Sequence, residues 1–181
     1  MRSFIFLLFL CAPFFGVAQD NAEVSKNLLS ANFFVPGLEY EFRLTPESTV
    51  DIGIGSGFGL AGGYLQGDTE FGIFPFATAQ YRRYYNLEKR LRKNKTVAMN
   101  SANYFALYSN ITSGKPIIGD LQMEDDYEVA LGPVWGLQRY FQSGFKLDLR
   151  LGVGYFFEEK GDSFVSPIIG ISLGWLITGN Y

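Results

Sequence analysis

From Phe145 onward the chain alternates with a period of two. Odd positions carry Phe145, Leu147, Leu149, Leu151, Val153, Tyr155 and Phe157, and even positions carry Lys146, Asp148, Arg150, Gly152 and Gly154. Residues two apart share one face of a strand, whereas a helical period would scatter both sets around the whole surface, so the pattern predicts a β-strand. The last strand repeats it, with Ile169, Ile171, Leu173, Trp175 and Ile177 against Gly170, Ser172, Gly174 and Thr178.

The same alternation runs upstream. Leu38, Tyr40, Phe42 and Leu44 alternate with Gly37, Glu39, Glu41 and Arg43; after Pro46-Glu47-Ser48, Val50, Ile52, Ile54 and Phe58 alternate with Asp51, Gly53, Gly55 and Gly57. This pair reads as a hairpin with a short turn. Further strands are expected at about 71–85, 102–112 and 126–140, the last with Val129, Leu131, Trp135 and Leu137 opposite Glu128, Ala130, Gly132, Gly136 and Gln138. An eighth is expected at about 26–34, where Leu29, Ala31, Phe33 and Val35 place the apolar set on odd positions. The parity changes after Pro36-Gly37, through either a tight turn or a bulge. The turn gives the even strand number of bacterial single-chain barrels, with both termini on the periplasmic side. The expected fold is therefore all-β: a single antiparallel up-and-down transmembrane β-barrel of eight strands.

The polar face decides which side looks at lipid. It consists of many glycines with Glu39, Glu41, Arg43, Asp51, Arg82, Glu128, Lys146, Asp148 and Arg150. On the exterior of a soluble protein each strand glycine would weaken its strand by roughly 0.5–1 kcal/mol relative to alanine, with no packing return. Inside a narrow barrel the missing side chains leave room for charged neighbours. The apolar set, by contrast, would overfill such an interior. The expected lipid-facing set includes Leu147, Leu149, Leu151, Val153, Ile171, Leu173 and Trp175, and the charged set forms a network in the interior. Tyr64, Tyr81, Tyr85, Tyr127, Tyr140 and Tyr155 are candidates for interfacial girdles.

The start of the chain agrees with export. Arg2 precedes an apolar run from Phe4 to Val17, and Gly16 and Ala18 stand where a signal peptidase wants small residues, which predicts a signal peptide at 1–18 and a barrel domain at 19–181. Cys11, the single cysteine, leaves with the signal, and the chain has no histidine. Disulfides and thiolate or imidazole zinc sites are thereby excluded from the mature domain. The net charge of −3 becomes −4 once Arg2 is removed, which gives a nucleic acid no electrostatic footprint. With 21 glycines, 18 phenylalanines and 11 tyrosines, the composition fits crowded strands with one very apolar face.

Connections are expected to be short around Pro46 and at Gln142-Ser143-Gly144, and longer and polar at 61–70, 113–125 and 158–163, which puts the short turns on the periplasmic side. The segment 86–100 breaks that rule and carries Lys89, Arg90, Arg92, Lys93 and Lys95. With Tyr84, Leu87 and Leu91 at helical spacing, it reads either as a short basic helix against anionic lipid heads or as a solvated loop.

Pro36-Gly37-Leu38-Glu39-Tyr40-Glu41, Gln80-Tyr81-Arg82-Arg83-Tyr84-Tyr85-Asn86, Asn100-Ser101-Ala102-Asn103-Tyr104 and the signal end Gly16-Val17-Ala18-Gln19 carry a family likeness. Over essentially the whole mature chain, the protein resembles the small outer-membrane β-barrel domain proteins of Bacteroidota-type bacteria. The resemblance implies an outer-membrane location and insertion by the barrel-assembly machinery, and it implies no settled activity. Tyr181 departs from the usual assembly signal, because it follows Gly179-Asn180 instead of ending the strand itself.

Known enzymes on small barrels, such as lipid A acyl hydrolases and outer-membrane phospholipases, rely on a histidine base that this chain lacks, so no enzymatic activity and no cofactor are expected. Gly53-Ile54-Gly55-Ser56-Gly57 precedes no helix and is explained by alternation. Asp120, Glu124, Asp125 and Asp126 form an acidic stretch that reads as a solvated loop or as a calcium site bridging to lipopolysaccharide. Three roles remain open. One is a structural or accessory outer-membrane barrel touching outer-membrane lipid, lipopolysaccharide or a protein partner; the others are a soluble periplasmic barrel for an apolar ligand and an accessory barrel of a secretion apparatus.

Overall fold

The computed structural model describes residues 22–62 and 69–180. The expected signal with Cys11, Tyr64 and Tyr181 lie outside the described residues. The chain forms β1 (Asn27–Asn32), β2 (Gly37–Thr45), β3 (Ser48–Ala61), β4 (Glu70–Tyr84), α1 (Leu87–Leu91), a 3-10 turn (Ala98–Asn100), β5 (Asn103–Ser113), β6 (Ile118–Gly119), β7 (Tyr127–Tyr140), β8 (Phe145–Glu158) and β9 (Ser163–Asn180).

These strands make one antiparallel sheet of nine, ordered β3-β2-β1-β9-β8-β7-β5-β4-β6, and a further β3–β4 pairing closes eight of them into a ring. The two-residue β6 lies outside the ring, paired to β4 through Gly72↔Gly119 and Ile73↔Ile118. The chain turns between β1 and β2 at residues 33–36, so the change of parity at Pro36 marks two strands and not one bulged strand.

A bulge occurs elsewhere. Between Leu29 and Ser30 the register against β9 jumps from Thr178 to Leu176. An extra residue at Ile177 turns Thr178 outward beside it, although alternation alone had grouped Thr178 with the polar face.

Alternation sorts the side chains by sign of polarity. Leu151 is 57% exposed, Ile169 78% and Trp175 51%, whereas Arg82 is fully buried and Glu41, Asp51, Lys146 and Asp148 nearly so. Most bulky apolar side chains thus face away from the ring, with Leu28, Phe74 and Ile168 as buried exceptions, and the buried ionised ones face into it. At the terminal end, where β1 begins and β9 ends, lie the turn at Pro46, the α1 segment and the 141–144 turn; at the other, the loop end, lie the connections at 33–36, 114–126 and 159–162, the end of β3 and the start of β4.

The terminal end is stoppered. Ala22 and Val24 from the segment before β1 pack with Leu87, Ala102, Tyr84 and Tyr104 in a small apolar core. Two hydrogen bonds from backbone donors hold the stopper: Val24 N donates to Pro46 O at 2.9 Å, and Ser25 N donates to the Asn100 side-chain Oδ1 at 2.6 Å.

Candidate functional site: an ionised interior

Four carboxylates and three cations meet inside the ring. Arg82 stands on β4 between β3 and β5, so its guanidinium reaches the Asp51 carboxylate at 3.2 Å and the Glu41 carboxylate at 3.6 Å. It also donates to Gln138 Oε1 at 3.0 Å and to Gln80 Oε1 at 3.2 Å, and lies 4.8 Å above the Tyr104 ring. Nε and Nη1 are thus hydrogen-bonded, while Nη2 lies against the Asp51 carboxylate as an ion pair without a hydrogen bond among the described residues.

Both oxygens of Glu41 are hydrogen-bonded. Thr49 donates to it at 2.6 Å, Tyr84 at 2.7 Å and Gln138 Nε2 at 3.0 Å. Glu39 pairs with Lys146 and accepts from Asn32 Nδ2 at 2.8 Å and Ser172 Oγ at 3.4 Å. Asp148 accepts the Tyr104 hydroxyl at 2.8 Å and faces Arg150 Nε at 3.3 Å. Arg150 in turn lies 5.6 Å from the centre of the Tyr108 ring. Asp51 Oδ2 has no hydrogen-bond donor among the described residues.

Glu39, Glu41, Asp51, Arg82, Lys146, Asp148 and Arg150 therefore form one cluster. Arg43 and Glu128, on the same strand faces, do not join it. Arg43 sits at the terminal rim, where it pairs with Glu23 at 2.6 Å and donates to the Val24 carbonyl. Glu128 sits at the loop-end rim opposite Glu158. Inward parity says which face a charge takes, and its distance from the strand end says whether it reaches its neighbours.

Alternation also places uncharged polar residues inward. Gln80, Tyr84, Tyr104 and Gln138 share parity with Arg82 or Asp148 and supply much of the hydrogen bonding. Tyr140, expected at a girdle, is buried and bonds to Ser30 Oγ at 2.6 Å inside the ring, on the same parity as Gln138. Tyr84 belongs to β4 and not to the helix expected after it. Tyr81, Tyr85, Tyr127 and Tyr155 do face outward and are about half exposed.

Outside the cluster, Leu147, Leu149, Leu151, Val153, Ile171, Leu173 and Trp175 all lie on the outer face. The basic segment forms the short α1, anchored by buried Leu87, while Leu91 is exposed. Arg90 donates twice to Thr96 O, at 3.2 and 3.0 Å, and Arg92 stands 3.9 Å from Glu88. The carboxylates of the 113–126 loop do not converge. Asp126 pairs with Lys115 at 2.8 Å, Asp125 accepts from Lys160 N at 2.9 Å and Asp120 from Phe71 N at 3.3 Å. No set of three or more metal-ligating side chains comes together among the described residues.

Stoppered at one end and crossed by ion pairs, the interior is built to hold charge in place. No family model, curated protein or solved structure matches the chain.

Proposed function

We propose that this protein is a small outer-membrane β-barrel of the kind common in Bacteroidota-type bacteria, with a structural or accessory role and no catalytic one. One observation carries the reading: the ring is apolar outside and ionised inside, the reverse of a water-soluble ring of strands. Large side chains such as Phe58, Leu60, Phe105, Leu151 and Ile169 are more than half exposed, while Arg82, Asp51, Lys146 and Asp148 are buried. In water the exposed set would form a contiguous apolar surface far above the few hundred Å² that soluble monomers tolerate. In hydrocarbon it is the expected surface, and closure of the ring leaves few backbone groups without partners.

Strand length supports the same reading. β7 and β8 have 14 residues each; at about 3.3 Å per residue and a tilt of about 40°, such strands rise roughly 35 Å, enough to cross an apolar band about 25 Å tall. Residues 1–18 would direct export, the terminal end would face the periplasm, and the loop end would meet lipopolysaccharide or a partner. The test is membrane fractionation of cells expressing the chain, together with heat-modifiable gel migration of the purified protein. Extraction only by detergent and a faster-migrating unheated band are expected. A chain that stays soluble without detergent would favour a periplasmic ligand-binding barrel instead.

A further inference from the structure

The wall of the ring is not of even height. β1 has six residues and β2 nine, against 14 in β3 and 18 in β9. The last bonds of the short hairpin to its neighbours are Phe33 N to Leu173 O and Ser56 N to Pro36 O, both 2.9 Å. Beyond them, residues 163–172 of β9 pair only with β8, and residues 57–61 of β3 pair only with β4. A six-residue strand rises only about 15 Å, so the notch above the hairpin opens within the height of the apolar band. The tip agrees: Phe33 and Phe34 are 49% and 59% exposed in a turn completed by Val35 and Pro36, where a turn in water would be polar.

A cavity of about 300 Å³ passes through this notch. Outward-facing Ile54, Ile169 and Ile171 line it together with inward-facing Glu39, Tyr108 and Arg150. Glu39 is already occupied by Lys146, Asn32 and Ser172. Arg150 is not: Asp148 faces its Nε, and its two Nη groups have no protein acceptor among the described residues. The guanidinium lies against bare Gly170, where a Cβ would stand 3.0 Å from Nε and 3.4 Å from Nη2. What is left unspent toward the notch is therefore the donor fork of a guanidinium.

We propose that the notch is a lateral port that admits an amphiphile with an anionic head, carboxylate or phosphate, to Arg150 while its chain lies across Ile54, Ile169 and Ile171. A guanidinium fork matches either head with two parallel hydrogen bonds. The unpaired backbone edges of β3 and β9 would cost free energy in hydrocarbon, and polar atoms of a head group satisfy them. Pro167 already removes one donor from the β9 edge. The proposal rests on the membrane reading above.

The test uses the full chain in detergent micelles, titrated by calorimetry with oleate, with lysophosphatidylglycerol and with inorganic phosphate. Both amphiphiles are expected to bind, and Arg150→Gln and Gly170→Phe each to weaken them at least tenfold while heat-modifiable migration persists. Unchanged oleate binding in either folded variant, or inorganic phosphate binding as tightly as oleate, overturns the port. On the unmodified protein a diazirine-bearing fatty acid should label peptides containing Ile54 and Ile169–Ile171, and labelling confined to other peptides overturns it too. A chain that bound oleate this way but stayed soluble without detergent would refute the membrane reading alone.

Discussion

Tyr104 fills the space that a side chain on Gly136 would occupy. The two residues face each other in register across β5 and β7, and a Cβ on Gly136 would stand 2.1 Å from the phenol ring and 2.5 Å from its oxygen. That bare position lets the ring lie beneath Arg82 and deliver its hydroxyl to Asp148 at 2.8 Å.

Gly136→Ala should therefore displace Tyr104 and cost about 1–3 kcal/mol of stability, the usual penalty for overpacking. Gly57→Ala is the control, because its Cβ would meet only Phe76 at 3.9 Å and should change little. Urea unfolding in lipid vesicles, followed by tryptophan fluorescence, compares the two. Equal midpoints would show that the Tyr104 ring is not held where the geometry puts it.

Arg82 is the cation that two carboxylates share. Arg82→Met should destabilise the folded state by about 3–5 kcal/mol, because it strands Glu41 and Asp51 as buried charges. Asp51→Asn should cost less, since Arg82 keeps Glu41, Gln138 and Tyr104 and one Asp51 oxygen had no donor to lose. The double variant should recover part of the Arg82→Met loss, and the same unfolding assay reads the coupling. Strict additivity would mean that the pair does not act as a unit.

Much of this arrangement is visible in the chain itself, because a period of two needs no knowledge of tertiary contacts. Glu41, Asp51, Arg82 and Asp148 stand on the face that alternation marks as polar, and the turn at Pro36 shows as a parity change. What escapes is whatever depends on height along the strand or on segments without a period. Arg43 and Glu128 have inward parity but lie too near the strand ends to join the cluster. The stopper of Ala22, Val24 and Asn100 is irregular backbone with no pattern to read. Tyr140 looks like a girdle residue by type, and only its parity with Gln138 points inward.

The outer face offers a direct test of its solvent. Leu151 is 57% exposed, so in water an arginine there should shift stability by no more than about 0.5 kcal/mol. Facing the middle of a bilayer, Leu151→Arg should cost about 2–4 kcal/mol. Folding free energies measured in lipid vesicles separate these outcomes cleanly.

Trp135 and Trp175 are the chain's two tryptophans, and both point outward. Trp135 Nε1 donates to the Tyr85 hydroxyl at 2.9 Å, the mixed apolar and polar setting of an interfacial indole. Bromine-labelled lipid chains should quench most of the intrinsic fluorescence of the refolded protein, and aqueous iodide should quench little. The reverse order would place the outer face in water.

The basic segment makes a separate prediction, because its charges are not equally committed. Arg90 is tied to Thr96 O and Arg92 lies near Glu88, whereas Lys89, Lys93 and Lys95 have no ion-pair partner among the described residues. Buried Leu87 fixes the segment to the terminal end, where Lys89 in α1 and Lys93 and Lys95 just after it are exposed. Each such charge contributes about 1 kcal/mol of attraction to an anionic leaflet, screened over a Debye length of about 8–10 Å. The triple variant Lys89→Gln, Lys93→Gln, Lys95→Gln should therefore insert more slowly into vesicles containing phosphatidylglycerol. It should match the parent in neutral vesicles, and high salt should erase the difference. A deficit that persisted in neutral vesicles would assign the lysines to folding of the loop, because only attraction to lipid charge depends on both the headgroup and the salt.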